Sequence, residues 1–72
     1  MAIFLFCVTV DDGDDQKTWE YGVNEDGALE ARERMRQYLA GEGMKFSQIR
    51  DSPSRNVGSL ANLRLGEVRL VT

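Results

Sequence analysis

The sequence predicts an α+β domain: a two-layer sandwich with one helix on a mostly antiparallel sheet, in the order β-β-α-β-β, with room for a fifth strand. Three observations lead there. An aromatic and β-branched run at residues 3–10 is followed by turn formers and then by an alternating run. A single stretch, residues 26–40, carries apolar side chains at three- and four-residue steps. Beyond it, short segments alternate again between stretches of turn formers. At 72 residues the chain is expected to form one domain spanning 1–72.

The run Ile3-Phe4-Leu5-Phe6-Cys7-Val8-Thr9-Val10 has apolar side chains on both alternating faces and belongs inside a sheet. Residues Asp11 to Gln16 supply turn formers for a connection a little longer than the tightest hairpins. Lys17 to Val23 then sets Trp19, Tyr21 and Val23 against Thr18, Glu20 and Gly22, so strands one and two should form an antiparallel hairpin with one wet face. Asn24 or Asp26 is suited to cap the helix, and Glu25, Asp26 and Glu30 suit its positive end. Ala28, Ala31, Met35, Tyr38 and Leu39 form the apolar stripe, with Leu29 flanking, and Gly41 and Gly43 are placed to end the helix in the left-handed conformation.

Lys45 to Arg50 reads as a third strand, with Met44, Phe46 and Gln48 on one side and Ser47 and Ile49 on the other. Residues 51–59 hold the only proline and no period, and read as a surface loop in which Ser52-Pro53-Ser54-Arg55 is a turn signal. Leu60, Leu63 and Leu65 precede Gly66, after which Val68 and Leu70 alternate with Arg69 and Val71. Gly66 either heads a type II′ turn between two short strands or bulges one longer strand.

Composition excludes several chemistries. At this length the folded chain buries only about 60% of its unfolded surface, too little to enclose a deep, dry substrate cavity. The chain has no histidine, which removes the side chain most used for proton transfer near neutral pH and the commonest metal ligand. One cysteine cannot form an internal disulfide, so a reducing, cytoplasmic setting is expected. Cys7, between Phe6 and Val8, reads as a shielded small hydrophobe, and Trp19 and Tyr21 as core. Met1 to Val10 is apolar but lacks a basic leader and is about half the roughly 20 residues needed to span a bilayer, so no membrane association is expected.

Charge is the most informative pattern. Residues 1–33 hold nine acids and two bases, and residues 34–72 hold three acids and seven bases, so a net charge of −3 hides halves of −7 and +4. The run Asp11-Asp12-Gly13-Asp14-Asp15 does not fit the EF-hand spacing, and no metal or other cofactor is expected. It reads either as a solvated hairpin loop or, with Glu20, Glu25, Asp26 and Glu30, as part of an acidic binding surface: two clusters or one continuous ridge. The arginines after Arg34 are scattered singly, and no helix-turn-helix, RNP, KH or zinc spacing accompanies them, so direct nucleic-acid binding is not expected. Gly41-Glu42-Gly43 lacks the lysine and further glycines of a phosphate loop.

In its size, its single-domain α+β character and its acidic run, with Glu20, Glu25, Asp26 and Glu30, the chain resembles the small acidic phage-encoded inhibitors of the anti-CRISPR type, some of which are DNA mimics. Those proteins share no common motif, so no residue role carries over, and the seven bases from Arg34 onward depart from an all-acidic mimic. The resemblance implies a non-enzymatic inhibitor, in a bacterial or phage-infected cell, whose acidic surface (Asp11, Asp12, Asp14, Asp15, Glu20, Glu25, Asp26, Glu30) engages a partner protein with a basic, nucleic-acid-binding surface. The chain itself is expected to be a monomer or a weak homodimer. A second class is a housekeeping or oligomerisation module that pairs through strand edges or a sheet face. A third, an enzyme working with carboxylates alone, needs a concave site that so small a domain seldom builds.

Overall fold

The computed structural model describes residues 2–53 and 60–71, and of Asp12 the backbone alone. Its elements are β1 (Ala2–Asp12), β2 (Asp15–Glu25), α1 (Ala28–Gly41), β3 (Phe46–Asp51) and β4 (Val68–Leu70). They form one four-stranded antiparallel sheet in the order β3-β1-β2-β4 with α1 on one face, the expected α+β arrangement in β-β-α-β-β order. No fifth strand occurs among the described residues.

Pairing follows the period-two pattern. β1 and β2 pair along their whole length, with Phe4 opposite Val23, Phe6 opposite Tyr21 and Val8 opposite Trp19. These side chains share the face that meets α1, because directly opposite residues of an antiparallel pair point the same way. Ala31, Met35 and Leu39 descend onto them, and with Phe6, Val8, Val10, Tyr21 and Val23 they make the core; Phe4, Trp19 and Tyr38 pack against it half-buried. Leu29 flanks this stripe and is 80% exposed.

The chain departs from expectation where local signals competed. The first hairpin is the tightest kind: Asp12 faces Asp15 across Gly13 and Asp14, and Gly13 has φ 67°. Positive φ at the first central residue alone marks a type II′ turn, whose twist suits the strands on either side. Neither Asn24 nor Asp26 caps α1. The N-cap is Gly27, extended and without a side-chain cap, because β2 runs on through Glu25 and uses Asn24 elsewhere. At the other end Gly41 is still helical and Gly43, at φ 70°, makes the stop: the N–H groups of Gly43 and Met44 donate to the carbonyls of Ala40 and Leu39.

In β3 the register slips between Thr9 and Val10, so Ile49 pairs with Val8 and Phe46 with Val10. Phe46 and Ile49, expected on opposite sides, therefore both face the helix, as a bulge allows. Gly66 neither heads a II′ turn nor bulges a strand. At φ 84° it is the third residue of a type II turn closed by the Glu67 N–H bonding the Arg64 carbonyl at 2.9 Å.

Since β3 and β4 lie at opposite edges, the chain between them must cross the sheet. Leu60 and Leu63, read as strand residues from sequence, are buried in this crossing on the face away from α1, where Leu60 lies over Gly22. Asn24, on that same face of β2, donates its side-chain amide to the Leu63 carbonyl at 2.8 Å. The loop expected at residues 51–59 begins after Asp51, which ends β3; residues 54–59 lie outside the described residues.

Candidate functional site

The acids separate into two groups rather than one ridge. β2 is 11 residues long, so its two ends stand about 33 Å apart at about 3.3 Å per residue. At one end, Asp11, Asp14 and Asp15 are exposed around the type II′ turn, and the Asp12 backbone pairs with Asp15 beside them. Asp11 receives a hydrogen bond from the Gln16 amide at 3.0 Å, which orders its carboxylate without removing its charge. At the other end lie Glu25, exposed Asp26 and exposed Glu30.

This second group is largely absorbed into the fold. Glu25 is buried against the Arg34 guanidinium, Nε to Oε2 at 2.9 Å, an ion pair joining α1 to the end of β2. Glu20 stands midway along β2 on the outer face and accepts a hydrogen bond from the Ser52 hydroxyl. Other acids are matched as well: Asp51 by Arg32 at 3.3 Å, Glu33 by Arg36 at 3.9 Å and Glu67 by Arg69 at 3.3 Å. Of these pairs, Glu25–Arg34 and Glu33–Arg36 match an acid of residues 1–33 with a base of residues 34–72. The spacing on the helix sets Glu30 against Arg34, but Arg34 turns instead to Glu25 at the end of β2, and nothing in the sequence marks Ser52 as a partner, because it reaches Glu20 from beyond β3.

Cys7 is not a core residue. It points to the outer face, opposite Glu20 on β2 and Arg50 on β3, and is half-buried. Tyr21 is buried, as expected of core, and its hydroxyl reaches the Met44 sulfur at 4.0 Å. Burial, with smaller contributions from neighbouring Tyr38 and Glu42, pushes its phenol above the usual value near 10. Trp19 is half-buried and helps line an open hollow of about 380 Å³ with Val10, Lys17, Met44 and Lys45.

No group of three or more cysteine, aspartate or glutamate side chains among the described residues is arranged to hold a metal ion. No helix among them is long and apolar enough to cross a membrane. No known protein family, no curated protein and no solved structure matches the chain.

Proposed function

We propose that this protein is a non-enzymatic binding module that presents the acidic tip of its β1–β2 hairpin to a basic surface on another protein, one that ordinarily grips nucleic acid. In its finer form the reading is an inhibitor of the anti-CRISPR or DNA-mimic type. One observation carries it. Asp11, Asp14 and Asp15 are exposed on a single tight turn, while Arg32, Arg34, Arg36 and Arg69 are engaged by acids elsewhere in the fold. Asp11, Asp14 and Asp15 thus present a negative patch at the tip, beside Lys17 and Lys45, and such a patch steers encounters with positive surfaces.

Of the eight acids expected to bind, this narrows the contact to Asp11, Asp12, Asp14 and Asp15. Glu20 and Glu25 hold the fold, and Asp26 and Glu30 stand at the far end. The test is a pull-down from nuclease-treated bacterial lysate, followed by binding of the captured partner in rising salt. Attraction between exposed charges is screened over about 8 Å at physiological ionic strength, so association should slow as salt increases. Replacing Asp11, Asp14 and Asp15 by lysine should abolish capture, leave the melting transition in place and restore the partner's nucleic-acid binding. Salt-insensitive capture that survives these reversals overturns the reading.

A further inference from the structure

In an antiparallel ladder, alternate residues turn their N–H and C=O toward the neighbouring strand and the residues between turn theirs away. On β3 the Ser52 N–H bonds the Leu5 carbonyl at 2.9 Å, and counting back from that pair turns Arg50 and Gln48 toward β1 and directs the backbones of Ile49 and Asp51 outward. β3 lies at one end of the strand order, so these outward groups form an edge of the sheet. The register slip beside Thr9 and Val10 interrupts the ladder short of Phe46, which leaves Ile49 and Asp51 as the regular outward positions. A bare edge of this kind is a template on which another chain can add a strand.

This edge is not bare. Arg32 leaves α1 next to buried Ala31 and runs over the Phe6 ring, its guanidinium carbon 5.5 Å from the ring centroid. Beyond the ring, Nη1 donates to the Ile49 carbonyl at 2.7 Å and Nη2 to the Asp51 carboxylate at 3.3 Å. The three contacts have different effects. The face of Phe6 attracts the cation and holds it over the margin of the sheet. Asp51, whose side chain is 85% exposed, orients the guanidinium but adds little attraction through water. The bond to the Ile49 carbonyl closes the edge, because it occupies the acceptor that an arriving strand needs. A bond from a charged donor is roughly twice as strong as the neutral backbone bond that would replace it, so the exchange is unfavourable.

We infer that the Arg32 side chain is a built-in cap, an autoinhibitory contact that keeps β3 from pairing with a second copy of the chain. A second copy is the strand to be kept off, because in a solution of this protein every molecule carries the same edge. With the cap removed, a two-fold axis beside Ile49 would let its N–H and C=O bond the C=O and N–H of Ile49 in the second copy. Arg50 of each copy would then stand opposite Gln48 of the other, so no like charges face each other directly across that pairing. Neither Arg32 nor Ile49 belongs to the acidic tip, and the cap acts whether or not the tip binds a partner.

The test removes the cap from the full chain. Arg32→Gln is neutral and two side-chain atoms shorter, so it falls short of the Ile49 carbonyl, and it adds no apolar surface. Sedimentation equilibrium in reductant should show the mass of this variant rising from one chain toward two with concentration, over a range in which the wild-type mass stays constant. Hydrogen exchange locates the contact. The Ile49 N–H points outward from the ladder with β1, so it should exchange fast in dilute protein and become protected in Arg32→Gln as the mass rises. Should the glutamine chain not melt cooperatively, Arg32→Met, which keeps a full stem on Phe6 and no donor, takes its place. Asp51→Asn removes the ion pair but leaves the Ile49 bond, and should keep the wild-type mass. Arg32 variants that lose stability yet keep the wild-type mass at every concentration overturn the inference, since Arg32 would then only brace the fold. So does an Asp51→Asn chain that associates as readily as Arg32→Gln, because the lost charge and not the vacated carbonyl would be the cause. Association without protection of the Ile49 N–H overturns it as well, by placing the contact away from β3.

Discussion

A β-carbon at Gly22 would overlap Cδ1 of Leu60, closer than two non-bonded carbons can approach. Leu60 is fully buried, so it has little room to retreat. The bare backbone of Gly22 is therefore what lets the crossing chain seat itself on the outer face of the sheet.

Gly22→Ala sets two effects against each other. Replacing glycine within a strand gains about 0.5–1 kcal/mol of backbone entropy, but forcing a methyl into a filled site costs about 1–3 kcal/mol. The overlap wins, and urea denaturation should show a net loss of stability. Leu60→Ala should lose about 2–5 kcal/mol, since it empties a buried site. Because the two changes act on one contact, Gly22→Ala should cost much less in the Leu60→Ala background. Strictly additive losses would mean that Leu60 draws its burial from somewhere other than Gly22.

Met35 sits at the centre of the helix stripe and is fully buried between Ala31 and Leu39. A domain of this size is stable by about 4–11 kcal/mol at the usual 0.05–0.15 kcal/mol per residue, and burying an unpaired carboxylate consumes several of those. Met35→Asp should abolish the cooperative thermal transition followed by circular dichroism. Met35→Leu, which nearly conserves volume, should cost less than about 1.5 kcal/mol. An unchanged melt for the aspartate variant would remove α1 from the core.

These particulars show which features the sequence made legible. β1, β2 and α1 could be read because each announces itself within its own residues, by alternation in the strands and by the Ala31, Met35, Leu39 spacing in the helix. The face of Phe46 could not, since the bulge that turns it toward α1 arises in the pairing with Thr9 and Val10 and leaves no mark on β3 itself. Leu60 and Leu63 read as strand because their real partners, Gly22 and Asn24, are some forty residues earlier. The acids divide in the same way. Asp11, Asp14 and Asp15 are exposed because they belong to a local turn. Glu25, which in sequence resembles any acid near a helix start, is buried because β2 continues two residues past its last alternating apolar residue and meets Arg34 there.

Tyr21 gives the fold an alkaline limit. Its ring meets Tyr38 edge-on, with centroids 5.8 Å apart, and its hydroxyl has the Met44 sulfur, a weak acceptor, as its partner. Desolvation is the first reason its phenol ionises above the usual value near 10, and the nearby Tyr38 and Glu42 charges add to it. A phenol held protonated in the folded chain ionises first in the unfolded one, so its contribution to stability is whole below about pH 10 and declines as pH rises toward the folded value. The comparison is with Tyr21→Phe, which keeps the ring and removes the titrating group. The difference in unfolding free energy between the wild-type chain and Tyr21→Phe should be flat from pH 7 to about 9.5 and should then shift steadily in favour of the phenylalanine variant. Parallel curves through that window would mean that water reaches the Tyr21 hydroxyl in the folded protein.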